Sequence, residues 1–139
     1  MNIKYFFFLS ILVILFFSSC REEIIPPDNP TGNVNEPALF SSSSLYIFSI
    51  NAINMTTDFV DNIPFDGVKT RLYSLLEDHT SGFVEIVIRS PQQETLYSGV
   101  LNQNSRGSSL NVEGSSQENI LLKFVNFTGK LKIQLSPVE

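Results

Sequence analysis

The sequence predicts an all-β protein, a single small antiparallel β-sandwich over residues 45–139. Three observations carry that prediction. Lys130-Leu131-Lys132-Ile133-Gln134-Leu135 alternates polar and apolar residues strictly, the period of a half-buried strand. Phe83–Arg89 (FVEIVIR) reads as another strand, with Val84, Ile86 and Ile88 on one face and Glu85, Val87 and Arg89 on the other. Similar short runs recur at a spacing of roughly 10–15 residues, separated by Gly- and Ser-containing turns, which is the rhythm of a sandwich.

The elements follow in order. Leu45–Ile53 is apolar at both parities, as expected of a strand buried on both sides. Thr56–Asp66 (TTDFVDNIPFD) reads as a long loop carrying Asp58, Asp61 and Asp66. Val68–Leu76 fits a helical spacing through Val68, Leu72, Leu75 and Leu76, and it fits alternation through Val68, Leu72 and Leu76. Thr70 and Tyr73 favour a strand there, and Asp78–Gly82 then reads as a hairpin turn into Phe83–Arg89. Ser90-Pro91-Gln92-Gln93 is turn chemistry. Thr95–Leu101 is a strand, Asn102–Ser109 a polar loop, Leu110–Val112 a short strand and Glu113–Asn119 a second polar loop. Ile120–Val125 and Lys130–Leu135 are expected to pair as a β-hairpin across Asn126-Phe127-Thr128-Gly129.

Upstream lies a different kind of sequence. Lys4 precedes an apolar run from Tyr5 to Phe17, broken only by Ser10. A helix needs roughly 20 apolar residues to cross a bilayer, so this run has the proportions of a signal peptide. It closes on Phe17-Ser18-Ser19-Cys20, and Cys20 is the only cysteine. A lone cysteine in an exported chain has no internal disulfide partner. These four residues resemble the lipobox of bacterial lipoproteins, with Ser18 and Ser19 as the small residues before the cut and Phe17 where the family more often has an aliphatic residue. The resemblance implies cleavage after residue 19 and a diacylglycerol on Cys20. Arg21, Glu22 and Glu23 resemble the charged signal that sends some Gram-negative lipoproteins to the outer cell face. The expected location is therefore the outer membrane, lipid-anchored and facing the exterior, with a periplasm-facing position as the alternative. Residues 20–44, with Pro26, Pro27, Pro30, Gly32, Pro37 and Ser41–Ser44, read as a tether.

The order of features from Phe65 to Leu135 also resembles small jelly-roll or Ig-like sandwiches of exported bacterial proteins: Phe65-Asp66-Gly67, Ser81-Gly82, VEIVIR, Leu96-Tyr97 and FTGKLKIQL. Such an architecture carries no function by itself.

Chemistry is sparse. The net charge is −5, about −6 once Lys4 leaves with the leader, and an acidic domain is a poor ligand for phosphate backbones, so no nucleic acid partner is expected. His79 is the only histidine, which excludes multi-histidine metal sites, and beside Asp78 it reads as a turn residue. No nucleophile elbow or phosphate-binding glycine loop is present, and the chain is expected not to be an enzyme. Asp58, Asp61 and Asp66 offer oxygen ligands for Ca²⁺, although their spacing is not that of the helix–loop–helix calcium site. The other reading of that stretch is a loop that plugs one end of the sandwich. Tyr46, Tyr73 and Tyr97 are the tyrosines left for stacking on sugar rings. Asn54-Met55-Thr56 and Asn126-Phe127-Thr128 match an N-glycan acceptor pattern. No cofactor is expected beyond that possible Ca²⁺. The expected role is a non-enzymatic binding or envelope-assembly module with a protein partner, the alternatives being a glycan- or Ca²⁺-dependent ligand-binding module or, more distantly, a small hydrolase.

Overall fold

The computed structural model describes residues 33–65, 69–114 and 116–138. The leader, Cys20, Arg21, Glu22, Glu23 and Asp66 lie outside these residues. The described chain forms β1 (Ala38–Ser42), β2 (Leu45–Asn62), β3 (Lys69–Arg89), β4 (Thr95–Leu101), β5 (Ser108–Glu113) and β6 (Asn119–Pro137). The fold is all-β and the strands pair antiparallel, in the order β1-β2-β6-β3-β4, with β5 also on β3.

Three strands are very long: 18 residues in β2, 21 in β3 and 19 in β6. None of them is straight. Residues 46 and 61 would stand about 50 Å apart in a straight β2 at ~3.4 Å per residue. Instead the Tyr46 hydroxyl donates to Asp61 Oδ2 at 2.8 Å, and the rings of Phe48 and Phe59 lie 5.3 Å apart. The sheet therefore bends back on itself, and the two leaves of the sandwich are the two halves of the same strands. One leaf holds β1, β5, the first halves of β2 and β3 and the second half of β6. The other holds β4 and the remaining halves.

The residues at the bend show how a strand turns this corner. Along β2 the buried side chains are Tyr46, Phe48, Ile50 and Ala52, then Met55, so the inward parity switches from even to odd. The switch falls on Asn54, at φ 49°. β6 does the same, passing from Ile120, Leu122 and Phe124 to Phe127, Leu131, Ile133 and Leu135 across Asn126 at φ 45°. A single left-handed residue inserts one extra position, bends the strand and flips every later side chain. β3 holds two such residues, Asp78 (φ 52°) and Gly82 (φ 71°), and its parity is restored: Leu72 and Leu76 face inward, and so do Val84, Ile86 and Ile88.

The two N-x-T segments lie against each other at this corner. The Asn54 N–H donates to Thr128 Oγ1 at 2.8 Å, and the Asn126 N–H donates to Thr56 Oγ1 at 2.9 Å. Each threonine thus satisfies the backbone donor that the partner strand's bulge leaves out of the ladder. The β3 corner is held by the His79 N–H on Asn104 Oδ1 (2.8 Å), by His79 Nε2 against the Gly82 carbonyl (2.9 Å) and by the Ser81 hydroxyl on the Asn126 carbonyl (3.1 Å).

Several expectations change here. The hairpin across Asn126–Gly129 and the hairpin turn at Asp78–Gly82 are both bulged corners inside continuous strands. Thr56–Asn62 is the second half of β2 rather than a loop. Lys69–Leu76 falls as expected on the strand side, at the start of β3, and Val68 lies outside the described residues. Ordered structure also begins upstream of Leu45. Ala38–Ser42, within the stretch read as tether, pairs along Leu45–Ser49 across a Ser43-Ser44 turn. The cause is local: beyond Pro37 the prolines stop, and Asn35 clamps Ile53 by accepting its N–H at 2.8 Å and donating to its carbonyl at 3.2 Å.

Candidate interaction edge

Asp58 and Asp61 do not come together as cation ligands. Asp58 and Asp61 have opposite parity on one strand, so they project from opposite faces of the sheet. Asp58 points outward and is exposed, while Asp61 turns inward, half-buried, to the Tyr46 hydroxyl. Asp66 lies outside the described residues. Among those residues no three acidic, histidine or cysteine side chains stand close enough to hold a metal.

The tyrosines do not converge either. Tyr46 is buried beside Asp61. Tyr73, in the same leaf as Tyr46, points outward with its hydroxyl end over Gly107, and the Tyr97 ring is folded onto Gly99 of its own strand. Both rings cover backbone that glycine leaves bare. His79 belongs to the corner.

Burial, the hydrogen bond to Asp61 and the Asp61 charge, in that order, push the Tyr46 hydroxyl well above its usual pKa. A raised folded-state pKa makes the folded protein hold its proton where the unfolded chain releases it. The contribution is intact below the unfolded tyrosine value of about 10 and is lost as pH rises beyond it, by up to ~1.4 kcal/mol per pH unit. Urea denaturation between pH 9 and 11.5 is expected to show stability falling above about pH 10. In Tyr46→Phe that component of the slope should disappear. An unchanged slope in the variant would refute the assignment.

What the structure does assemble is an open strand edge. β1 covers β2 only as far as Ser49, with a bridge from Val34 to Asn51 and the Asn35 clamp at Ile53. Beyond that, among the described residues, no strand lies on the far side of β2. From Thr57 to Asn62 its pairing with β6 runs without a register shift. The Ile63 N–H donates to the Glu118 carbonyl, one pair beyond Asn62 and Asn119. Antiparallel alternation then turns the N–H and C=O of Asp58, Val60 and Asn62 away from β6, toward the open side.

The outer face beside this edge is ordered in rows. One row runs Val60, Leu121, Val87 across β2, β6 and β3. Val60 is 65% exposed, the most of any large apolar side chain described. The next row runs Asp58, Lys123, Glu85, alternating in charge so that each member faces an opposite neighbour. The remaining edges differ. The outward side chains of β5 are Ser109, Asn111 and Glu113, β1 is five residues long, and β4 has a register shift at its first residues, between Ile88 and Arg89. Sequence reading missed the edge because it placed Thr56–Asn62 in a loop. Thr57-Asp58-Phe59-Val60-Asp61 mixes polar and apolar residues at both parities, so no alternation marked it as a strand.

No family model matches the chain, and no curated protein matches it. Among solved structures it is similar to a mutant of a family 29 carbohydrate-binding module (11% identity, 73% of this chain and 81% of that one, TM-score 0.41). It is also similar to a family 4 carbohydrate-binding module (12%, 75% and 87%, TM-score 0.38) and to a structure of the disulfide-linked pili of Bacillus endospore appendages (16%, 74% and 92%, TM-score 0.42). Likeness at this level is one of outline and says nothing of what the chain binds.

Proposed function

We propose that the chain is a non-enzymatic binding module, held at the outer membrane by lipid on Cys20 and turned to the cell exterior, and that its partner in the envelope is a protein. One observation supports the protein partner: the unshifted, unpaired edge of β2 with Val60 exposed on it. Free edges are templates for another chain, and main-chain pairing at an edge is a recurrent way of capturing an extended segment. The anchor rests on the short apolar leader and on Cys20 directly after Ser18-Ser19. Two acyl chains hold a protein at a membrane without a span.

The test is crosslinking on native membranes, purification in mild detergent and identification of what co-elutes, with Val60→Pro in parallel. The Val60 N–H faces the open side, so proline deletes a donor that no described strand uses and leaves the β6 ladder intact. A protein captured by the native chain and lost in the variant is the expected result; elution alone after crosslinking refutes it. Separately, Cys20→Ser should abolish labelling by a fatty-acid probe, and persistent labelling would place the lipid elsewhere.

A further inference from the structure

We propose that the occupant of the β2 edge is an extended protein segment that pairs antiparallel with Asp58–Asn62 and carries an apolar residue opposite Val60 and a lysine or arginine opposite Asp58. This rests on the reading of the edge as a docking site for a protein and adds the chemistry of the partner.

The argument is the continuation of the two rows. Across β3, β6 and β2 the outer face reads Val87, Leu121, Val60 and, two residues along, Glu85, Lys123, Asp58. A strand added beside β2 becomes the next column. Opposite the exposed Val60, an apolar side chain removes surface from water. Opposite Asp58, a cation continues the negative–positive–negative alternation. That cation would stand about 5 Å from the Asp58 column and about 10 Å from the Lys123 column, given strand spacings near 4.8 Å. With a screening length of ~8 Å at physiological salt, the attraction to Asp58 outweighs the repulsion from Lys123. In the antiparallel sense the segment reads apolar-x-basic. A second copy of this chain, paired about Val60, would set Asn62 against Asp58 and leave the charge row without its next member. The inward turn of Asp61 to the Tyr46 hydroxyl keeps its carboxylate on the face away from the row.

The probe is a synthetic peptide, Thr-Ser-Val-Ser-Lys-Ser-Thr, capped at its C-terminus and fluorescently labelled at its N-terminus, titrated at low salt against the full chain in detergent. Its counterpart has glutamate in place of lysine. The native chain is expected to bind the lysine peptide roughly threefold to fivefold more tightly, the size of a favourable against an unfavourable cross-strand charge pair. In Asp58→Lys the preference should invert, and in Val60→Pro binding of both should be lost while circular dichroism stays native. Equal binding of the two peptides, no inversion in Asp58→Lys, or self-association that the lysine peptide does not compete away would overturn the proposal. A protein captured from membranes in a Val60→Pro-sensitive way but without charge preference would overturn this inference and leave the binding function standing. A charge-inverting edge that captures nothing from membranes would do the reverse.

Discussion

Phe124→Ala is expected to destabilise the domain by about 3–5 kcal/mol, the usual cost of truncating a fully buried phenylalanine. Phe124 is completely buried, and its ring lies 6.1 Å from that of Phe48, 5.7 Å from Phe59 and 5.4 Å from Phe127. Those three rings come from the first half of β2, from its second half and from beyond the bend in β6. One side chain thus bridges the two leaves and the corner between them. A small domain has about 5–15 kcal/mol of stability in all, so the variant should be marginal. Urea unfolding of the chain without its leader, followed by circular dichroism since there is no Trp, is the measurement. Val60→Ala is the control. Val60 is exposed, and its truncation should stay within about 0.5 kcal/mol. If the two variants lose similar stability, the aromatic cluster does not hold the leaves together.

How much of this was legible in the sequence follows from how strands announce themselves. Alternation identified the strand halves well: Phe83–Arg89, Lys130–Leu135, Thr95–Leu101 and the strand character of Leu72–Leu76 all lie in β-structure. The connections between halves were misread. Asn126–Gly129 and Asp78–Gly82 contain the residues that a hairpin turn uses, because a bulged corner and a turn both need left-handed backbone. What separates them is the direction of the chain afterwards, which is set by pairing with other strands. A parity flip across one Asn was visible in both β2 and β6, and the repeated N-x-T marked the same place in each. That coincidence was the available clue that the two strands bend together.

The candidate edge was less legible for a different reason. Whether Asp58 and Asp61 cluster depends on whether their segment is a loop or a strand, and a strand sends them to opposite faces. Whether Val60 is exposed depends on which strand stops short beside it. β1 ends its pairing at Ser49 because Ser43-Ser44 sets a tight turn and Pro37 closes the strand at its other end. Only the pairing of the strands turns those local facts into an open edge, and only the register sets Lys123 between Asp58 and Glu85.

The corner offers the second large effect, in Gly82→Ala. Gly82 sits at φ 71°, where a side chain costs about 1–2 kcal/mol. A Cβ added there would also collide with the carbonyl oxygens of Val125 and Asn126. Those atoms are backbone of β6 at its own bulge, and the Asn126 carbonyl accepts the Ser81 hydroxyl. They have no rotamer through which to give way, so the clash is relieved only by opening the β3–β6 junction. A loss of about 3 kcal/mol or more is expected, the strained conformation and the lost corner contacts together. Gly99→Ala is the informative comparison, since its Cβ meets the flexible end of the Tyr97 side chain, which can swing aside for about 1 kcal/mol or less. Hydrogen exchange should localise the difference: in Gly82→Ala the amides of His79 and Ser81 lose protection before those of Ile86 and Ile133. Should both glycine variants cost the same, or should exchange rise uniformly, the corner is not the rigid joint that its hydrogen bonds describe, and the two leaves owe their apposition to the apolar core alone.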